Sequence, residues 1–107
     1  MTMDVALLPV YNQPSFQYFV TLNNVGCTLL FNYNTRSGYY HLTVTLTDGT
    51  VVMEGRKVVP RFEIFTSDMY EKGPKGSFYL TPKEDSIVES VETIMFWADN
   101  YLLSFAS

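Results

Sequence analysis

"FNYNTRSGYYHLTVTLTDGTVV", residues 31–52, alternates apolar and polar side chains, breaks at Gly38, alternates again and breaks once more at Asp48-Gly49. This period of two is typical of β-strands, in which successive side chains point to opposite faces of the sheet. Glycine supplies the positive φ that a short hairpin loop needs, and Asp-Gly between alternating runs is a strong hairpin signal. The stretch therefore predicts three antiparallel strands joined by two tight turns.

The alternation continues on the N-terminal side of this stretch. "SFQYFVTL" at 15–22 and "CTLLFNYN" at 27–34 have the same period, and "NNVG" at 23–26 provides residues that tolerate left-handed backbone conformations. The side chains that share one face are Phe16, Tyr18, Val20 and Leu22 in the first run and Cys27, Leu29, Phe31 and Tyr33 in the second. We predict a four-stranded antiparallel meander over residues 16–54, with one apolar and one largely polar face.

The segments outside the meander are less regular. Residues 1–14 are predicted to form an N-terminal extension. Residues 55–76 are predicted to be an irregular connection, because Pro60, Gly73-Pro74 and Gly76 interrupt any pattern, with a short strand or one helical turn near 62–69. "SFYLTP" at 77–82 resumes strand composition, and residues 77–107 are expected to supply the C-terminal strands.

"SIVESVETIMFWA", residues 86–98, fits two structures. Ser86-x-x-Glu89 is a possible capping box ahead of apolar residues at helical spacing, whereas the density of β-branched and aromatic residues favours a strand. We predict a strand for "TIMFW" at 93–97, a turn at Asp99-Asn100 and a last strand "YLLSF". The fold class that follows is all-β, a single domain over residues 1–107 built as a small antiparallel β-sandwich or partly open barrel.

Composition excludes several functions. Seven Lys and Arg against eleven Asp and Glu give a net charge of −4, so attraction to nucleic acid phosphates is not expected. The single cysteine, Cys27, cannot form an internal disulfide, which fits assembly in a reducing cytoplasm. No stretch approaches the roughly 20 apolar residues of a membrane helix, and the N-terminus lacks a signal-peptide pattern. We expect a soluble protein with neither nucleic acid nor membrane as partner.

Catalytic and metal-binding groups are sparse. One His and one Cys are too few for a structural zinc site. His41 is predicted on the polar face with no partner base or nucleophile, and Cys27 occupies an apolar strand position typical of a small buried hydrophobe. Carboxylates such as Glu84 and Asp85 fit a solvated surface better than an acid–base pair. We therefore expect a protein that is not an enzyme and that needs no cofactor.

The residues of the meander resemble a known family. The strand "FVTLNNVGCTLLFNYN" is followed by the loop Asn34-Thr35-Arg36-Ser37-Gly38 and the aromatic pair Tyr39-Tyr40, then by "HLTVTLTDGT" and a further glycine at Gly55. This order is similar to that of the small phage tail proteins that include the cyanophage baseplate plug. The resemblance covers about residues 16–58.

The resemblance implies a plug-like structural component of a contractile tail baseplate that acts by protein–protein contact. The implied partners are the hub, spike and tail tube proteins, in an assembly with several symmetric copies, within the virion and, during assembly, the host cytoplasm. The candidate interface residues are Asn34, Arg36, Tyr39 and Tyr40, because Arg beside Tyr is enriched where interface energy concentrates. The alternative for this loop is that Arg36 is a solvated charge and Tyr40 a core residue.

Two rival functions are alternatives to the structural role. A ligand-binding β module, for example one that recognises carbohydrate, would use exposed aromatic side chains such as Tyr39, Tyr70 or Trp97. A small hydrolase would use acidic residues such as Glu84 or Asp85, although no histidine-centred constellation accompanies them. Binding to a tail hub without any glycan signal would exclude the first rival.

Overall fold

In a computed structural model of the protein, residues 5–65 and 74–106 are described. Over these ranges the chain forms eight β-strands and two short helices. In chain order they are β1 Val5–Leu8, β2 Ser15–Leu22, β3 Val25–Asn34, β4 Tyr39–Leu46, β5 Val51–Lys57, β6 Glu63–Phe65, β7 Ser77–Pro82, α1 Val91–Met95, α2 Trp97–Asn100 and β8 Tyr101–Ala106.

The described strands form two four-stranded antiparallel sheets. One sheet is the meander β2-β3-β4-β5, and the other has the order β1-β8-β7-β6. The two sheets share no strand and close no barrel within the described ranges, so the predicted all-β fold class is confirmed, and the arrangement is consistent with a small β-sandwich. The meander confirms the four predicted strands, with bulges where β4 meets β5.

The core lies between the two sheets and is built by alternating side chains. Along β4 every second residue is buried, and the same period runs through β3, β7 and β8. The buried side chains with the largest volumes include Trp97, Tyr40, Tyr101, Phe31 and Phe78. Burial of such apolar surface is the main favourable contribution to folding. The face assignments read from the alternation are confirmed for β2, β3 and β4.

The turns have the backbone conformations that the sequence predicts. Gly38 and Gly49 have positive φ values of 75° and 91°, and Asn23 and Asn24 are left-handed at 48° and 66°. In these conformations a Cβ atom crowds the backbone, so glycine and asparagine are the favoured residues. The turn chemistry therefore sets where each strand of the meander ends.

The prediction of a strand at 93–97 and of a turn at Asp99-Asn100 is wrong, because residues 93–95 lie in α1 and residues 97–100 form α2. The N-cap of α1 is Ser90 and not Ser86 of the proposed capping box. The Ser90 side chain accepts a hydrogen bond from the backbone N–H of Thr93, and the Thr93 side chain accepts one from the backbone N–H of Ser90. This reciprocal cap satisfies two backbone donors, and it outweighs the weak strand preference of β-branched residues.

The extension predicted at residues 1–14 contains a strand. β1 pairs with β8, from Val5 opposite Ala106 to Leu8 opposite Leu103, and Leu8 is buried. In the connection predicted at 55–76, β5 continues to Lys57 and β6 supplies the short strand expected near 62–69. The remainder of that connection, residues 66–73, lies outside the described residues.

Cys27 is fully buried on β3, as expected for a small apolar side chain. Burial raises the pKa of its thiol to about 11. Above pH 9 an unfolded chain loses the thiol proton while the folded chain keeps it, so the free energy of unfolding should fall between pH 9 and pH 11, by about 3 kcal/mol in total. Urea unfolding at pH 8, 9 and 10 measures this decrease.

The matched variant for this measurement is Cys27→Ala. Its stability at pH 8 is lower because packing is lost, but its decline from pH 8 to pH 10 should be shallower than that of the wild type. Tyrosine ionisation contributes to both profiles and cancels in the comparison apart from Tyr18, whose pKa is raised by burial, by Tyr11 and by Cys27 itself. Parallel pH profiles would show that the thiol ionises equally in the folded and unfolded chains.

Candidate contact surface

The loop between β3 and β4 is held by hydrogen bonds within the loop itself. The Asn34 side-chain oxygen accepts from the backbone N–H groups of Arg36 (2.9 Å) and Ser37 (3.0 Å), and the Asn34 carbonyl accepts from the N–H of Gly38 (2.8 Å). Asparagine favours such turns because its short side chain reaches backbone donors two and three residues ahead. Asn34 therefore shapes this loop from within.

His41 connects the loop to the neighbouring strand. Its Nδ1 lies 2.9 Å from the Gly55 carbonyl oxygen, and its Nε2 lies 2.9 Å from Ser37 Oγ. Because a carbonyl can only accept, Nδ1 carries the proton of this hydrogen bond. The ring joins the hairpin tip to β5, which is a structural role for a residue that the sequence placed on the polar face of the sheet.

Arg36 and Tyr39 differ in exposure. Arg36 lies at the exposed tip of the loop, where its guanidinium group is available to a carboxylate. Tyr39 is half-buried, its hydroxyl donates to a Glu89 carboxylate oxygen, and the Lys57 ammonium lies 5.0 Å from its ring centroid. Tyr39 thus links the hairpin to both the segment before α1 and the end of β5.

Tyr40 is a core residue, which favours the alternative stated for this loop over its place in the candidate interface. It is 2% exposed, and its ring stacks on Trp97 with centroids 3.9 Å apart and planes 4° apart. Its hydroxyl donates to the carbonyl of Gln13 (3.1 Å), and burial raises its pKa. The Tyr40 side chain stabilises the base of the hairpin by packing in the core. Because it is buried, a partner protein cannot reach it in this structure.

Sequence reasoning missed a second exposed surface beside the hairpin. Val88 is 78% exposed, and Val91, Met95 and Phe96 are also exposed on and next to α1. A pocket of about 220 Å³ separates the hairpin from the start of α1, and an apolar pocket of about 350 Å³ lies beside Met95 and Phe96. A prediction of helix for 91–100 would have revealed this surface, because helical spacing places Ile94 and Trp97 in the core. Val91, Met95 and Phe96 then lie on the exposed side.

Two of the three aromatic residues named for a carbohydrate site lie within the described residues, and neither is exposed. Trp97 is fully buried, Tyr39 is half-buried, and Tyr70 lies outside the described residues. Among residues 5–65 and 74–106, no group of three or more His, Cys, Asp or Glu side chains is arranged to hold a metal ion. Over the same ranges no helix is long and apolar enough to cross a membrane.

The described features define a small antiparallel β-sandwich that carries a rigid polar hairpin beside an exposed apolar surface. A family model described as the cyanophage baseplate Pam3 plug gp18 matches residues 5–103 of the 107-residue chain, and the chain belongs to this family. The match runs from the start of β1 into β8 and includes both helices, so it extends well beyond the meander that resembles the family in sequence. No curated protein matches the chain.

Proposed function

We propose that the protein is a plug-like structural component of a contractile phage tail baseplate, which acts by contact and without catalysis. The NTRSGYY hairpin, residues 34–40, contacts the hub and spike region through Arg36. The single observation that carries this proposal is a loop whose backbone is fixed by its own hydrogen bonds while its cation stays exposed. Family membership supports the baseplate as its place of action.

A pre-ordered loop suits a contact role for a thermodynamic reason. Ordering a flexible loop on binding costs conformational free energy, and that cost is removed when the loop is already fixed in the free protein. Asn34 and Ser37 hold the loop, and Tyr40 secures its base in the core. The arginine can then meet a carboxylate of the partner with little further ordering except of its own side chain.

The proposed partners are the hub, spike and tail tube proteins, in an assembly with several copies of this chain. Symmetric assemblies repeat one contact many times, so a contact of modest strength in each copy is sufficient. The final location is the tail baseplate of the virion, and the host cytoplasm is the proposed location during assembly.

Arg36→Ala is expected to weaken co-assembly with the hub by about 1–2 kcal/mol, which is roughly a 5- to 30-fold loss of affinity. The change removes the guanidinium group but none of the hydrogen bonds that shape the loop, because Arg36 contributes only its backbone N–H to them. Co-purification or titration of the purified chain with the hub protein of the same phage measures the effect. Thermal unfolding of the variant should match that of the wild type.

The control is Lys75→Ala, which removes an exposed cation at the other end of β3, where the Lys75 carbonyl accepts a hydrogen bond from Asn23 in the β2–β3 turn. This substitution should change the free energy of hub binding by less than about 1 kcal/mol, because a single exposed charge contributes little. Equal hub affinity for Arg36→Ala and the wild type would remove the hairpin from the interface. Glycan binding by the wild type in the absence of hub binding would favour the carbohydrate-binding alternative.

A further inference from the structure

The net charge of the chain resides in one segment. Residues 83–99 contain one lysine and five carboxylates, a balance of −4, whereas the rest of the chain contains six basic and six acidic residues. All five carboxylates are exposed, and they belong to the same segment as the exposed apolar side chains on and next to α1. We call this the acidic surface; its members are Glu84, Asp85, Glu89, Glu92 and Asp99 together with Val88, Val91, Met95 and Phe96.

A surface of opposite charge lies at the end of β5 and in the loop that follows it. Arg56, Lys57 and Arg61 are exposed, and Phe62 beside them is 69% exposed. A pocket of about 310 Å³ is lined by Arg56, Lys57 and Phe62, with Glu63 as the one carboxylate in its lining. We call Arg56, Lys57, Arg61 and Phe62 the basic surface.

We propose that the protein self-associates, with the acidic surface of one copy against the basic surface of a second copy. Each surface combines an excess of charges of one sign with exposed apolar side chains, although the exposed Glu54 and Glu63 lie close in sequence to the cations of the basic surface. Contact between them would neutralise both sets of charges and remove apolar surface from water at the same time. The inference concerns the free chain in solution and stands apart from hub binding.

The position of the two surfaces favours a second copy as the occupant. They adjoin each other at Tyr39, whose hydroxyl donates to Glu89 and whose ring lies beneath Lys57. Two copies related by a twofold axis can therefore place each acidic surface against the partner's basic surface in both directions at once. Such reciprocal contacts double the number of complementary pairs in a single interface.

The test uses the purified full chain and two charge-reversed variants in sedimentation velocity. The first variant carries Asp85→Lys and Glu92→Lys, and the second carries Arg56→Glu and Lys57→Glu. The side chains replaced are exposed, and thermal unfolding verifies that each variant is folded. The wild type should associate at about 100 µM in low salt, and about 0.5 M NaCl should weaken the association because it screens exposed charges.

Each charge-reversed variant alone should associate roughly tenfold or more weakly than the wild type, since like charges then face each other. An equimolar mixture of the two variants should associate again. The reversed acidic surface of the first variant is positive and meets the reversed, negative basic surface of the second. A third variant, Val91→Ser, keeps all the charges and should also weaken association if the apolar side chains are buried in the interface. Hub binding through Arg36 is measured separately and should persist when self-association is lost.

Two results would overturn the proposal. A wild type that stays monomeric at about 100 µM in low salt lacks the interface, and this result alone decides the matter even if a variant fails to fold. A mixture of folded variants that does not associate would show that the two surfaces do not meet. Failure of hub binding with intact self-association would count against the proposed function and leave this inference standing.

Discussion

Replacement of Trp97 with alanine is expected to lower the free energy of unfolding by about 3–5 kcal/mol. Trp97 is fully buried and packs against Tyr40, Phe31 and Phe16, with centroid distances of 3.9, 5.5 and 6.1 Å. Its indole N–H donates to the Tyr11 carbonyl at 2.8 Å, so the truncation leaves a cavity and removes the donor for that carbonyl. Urea unfolding followed by circular dichroism measures the loss.

The neighbouring residue provides a matched control for this prediction. Phe96 precedes Trp97 in the chain but is 45% exposed, so Phe96→Ala should change the free energy of unfolding by less than about 1 kcal/mol. Trp97→Phe should fall between the two, because it keeps an aromatic ring while losing volume and the N–H donor. Similar stabilities for Trp97→Ala and Phe96→Ala would contradict the central place of Trp97 in the core.

The second large effect is expected at Gly76, where alanine should cost about 2–4 kcal/mol. Gly76 has φ of 154°, and a Cβ atom there would lie 2.4 Å from the Ala106 carbonyl oxygen and 2.6 Å from the Phe105 ring. Contacts this short force the start of β7 away from β8. Thermal or urea unfolding of Gly76→Ala against the wild type measures the cost.

Gly49→Ala separates backbone strain from this collision. Gly49 also has positive φ, 91°, but nothing lies within 4 Å of its added Cβ atom. Its replacement should therefore cost about 1 kcal/mol, from backbone strain alone. If the two alanine variants were equally stable, the close approach of Gly76 to β8 would not exist in solution.

The meander could be predicted from the sequence because its signals are local. A period of two, Asp48-Gly49 and Gly38 all act within a few residues, and the structure places strands and turns accordingly. The pairing of β1 with β8 could not be predicted in this way. This pairing joins Val5 to Ala106. A strand of only four residues shows too little periodicity for the sequence to identify its partner at the far end of the chain.

The helices at 91–100 show a different reason for failure. Thr93, Ile94 and Phe96 favour strands as residue types, but the reciprocal cap at Ser90 and the burial of Ile94 and Trp97 determine the conformation. Packing against the rest of the core is absent from a local pattern, and it overrides intrinsic propensity. The same limit affected the candidate surface: the exposed loop around Arg36 followed from turn residues, whereas the apolar surface along α1 required the helix.

The adjacency of Val5 and Ala106 also bears on how the molecule responds to mechanical load. The two residues face each other at one end of an antiparallel pair whose hydrogen bonds run perpendicular to the strands. Tension applied between these two residues acts along the hydrogen bonds, so the bonds break one after another from this end of the strand pair. The edge formed by β1 is accordingly soft under pulling at these two points, while a load that slides β1 along β8 must break all of its bonds together.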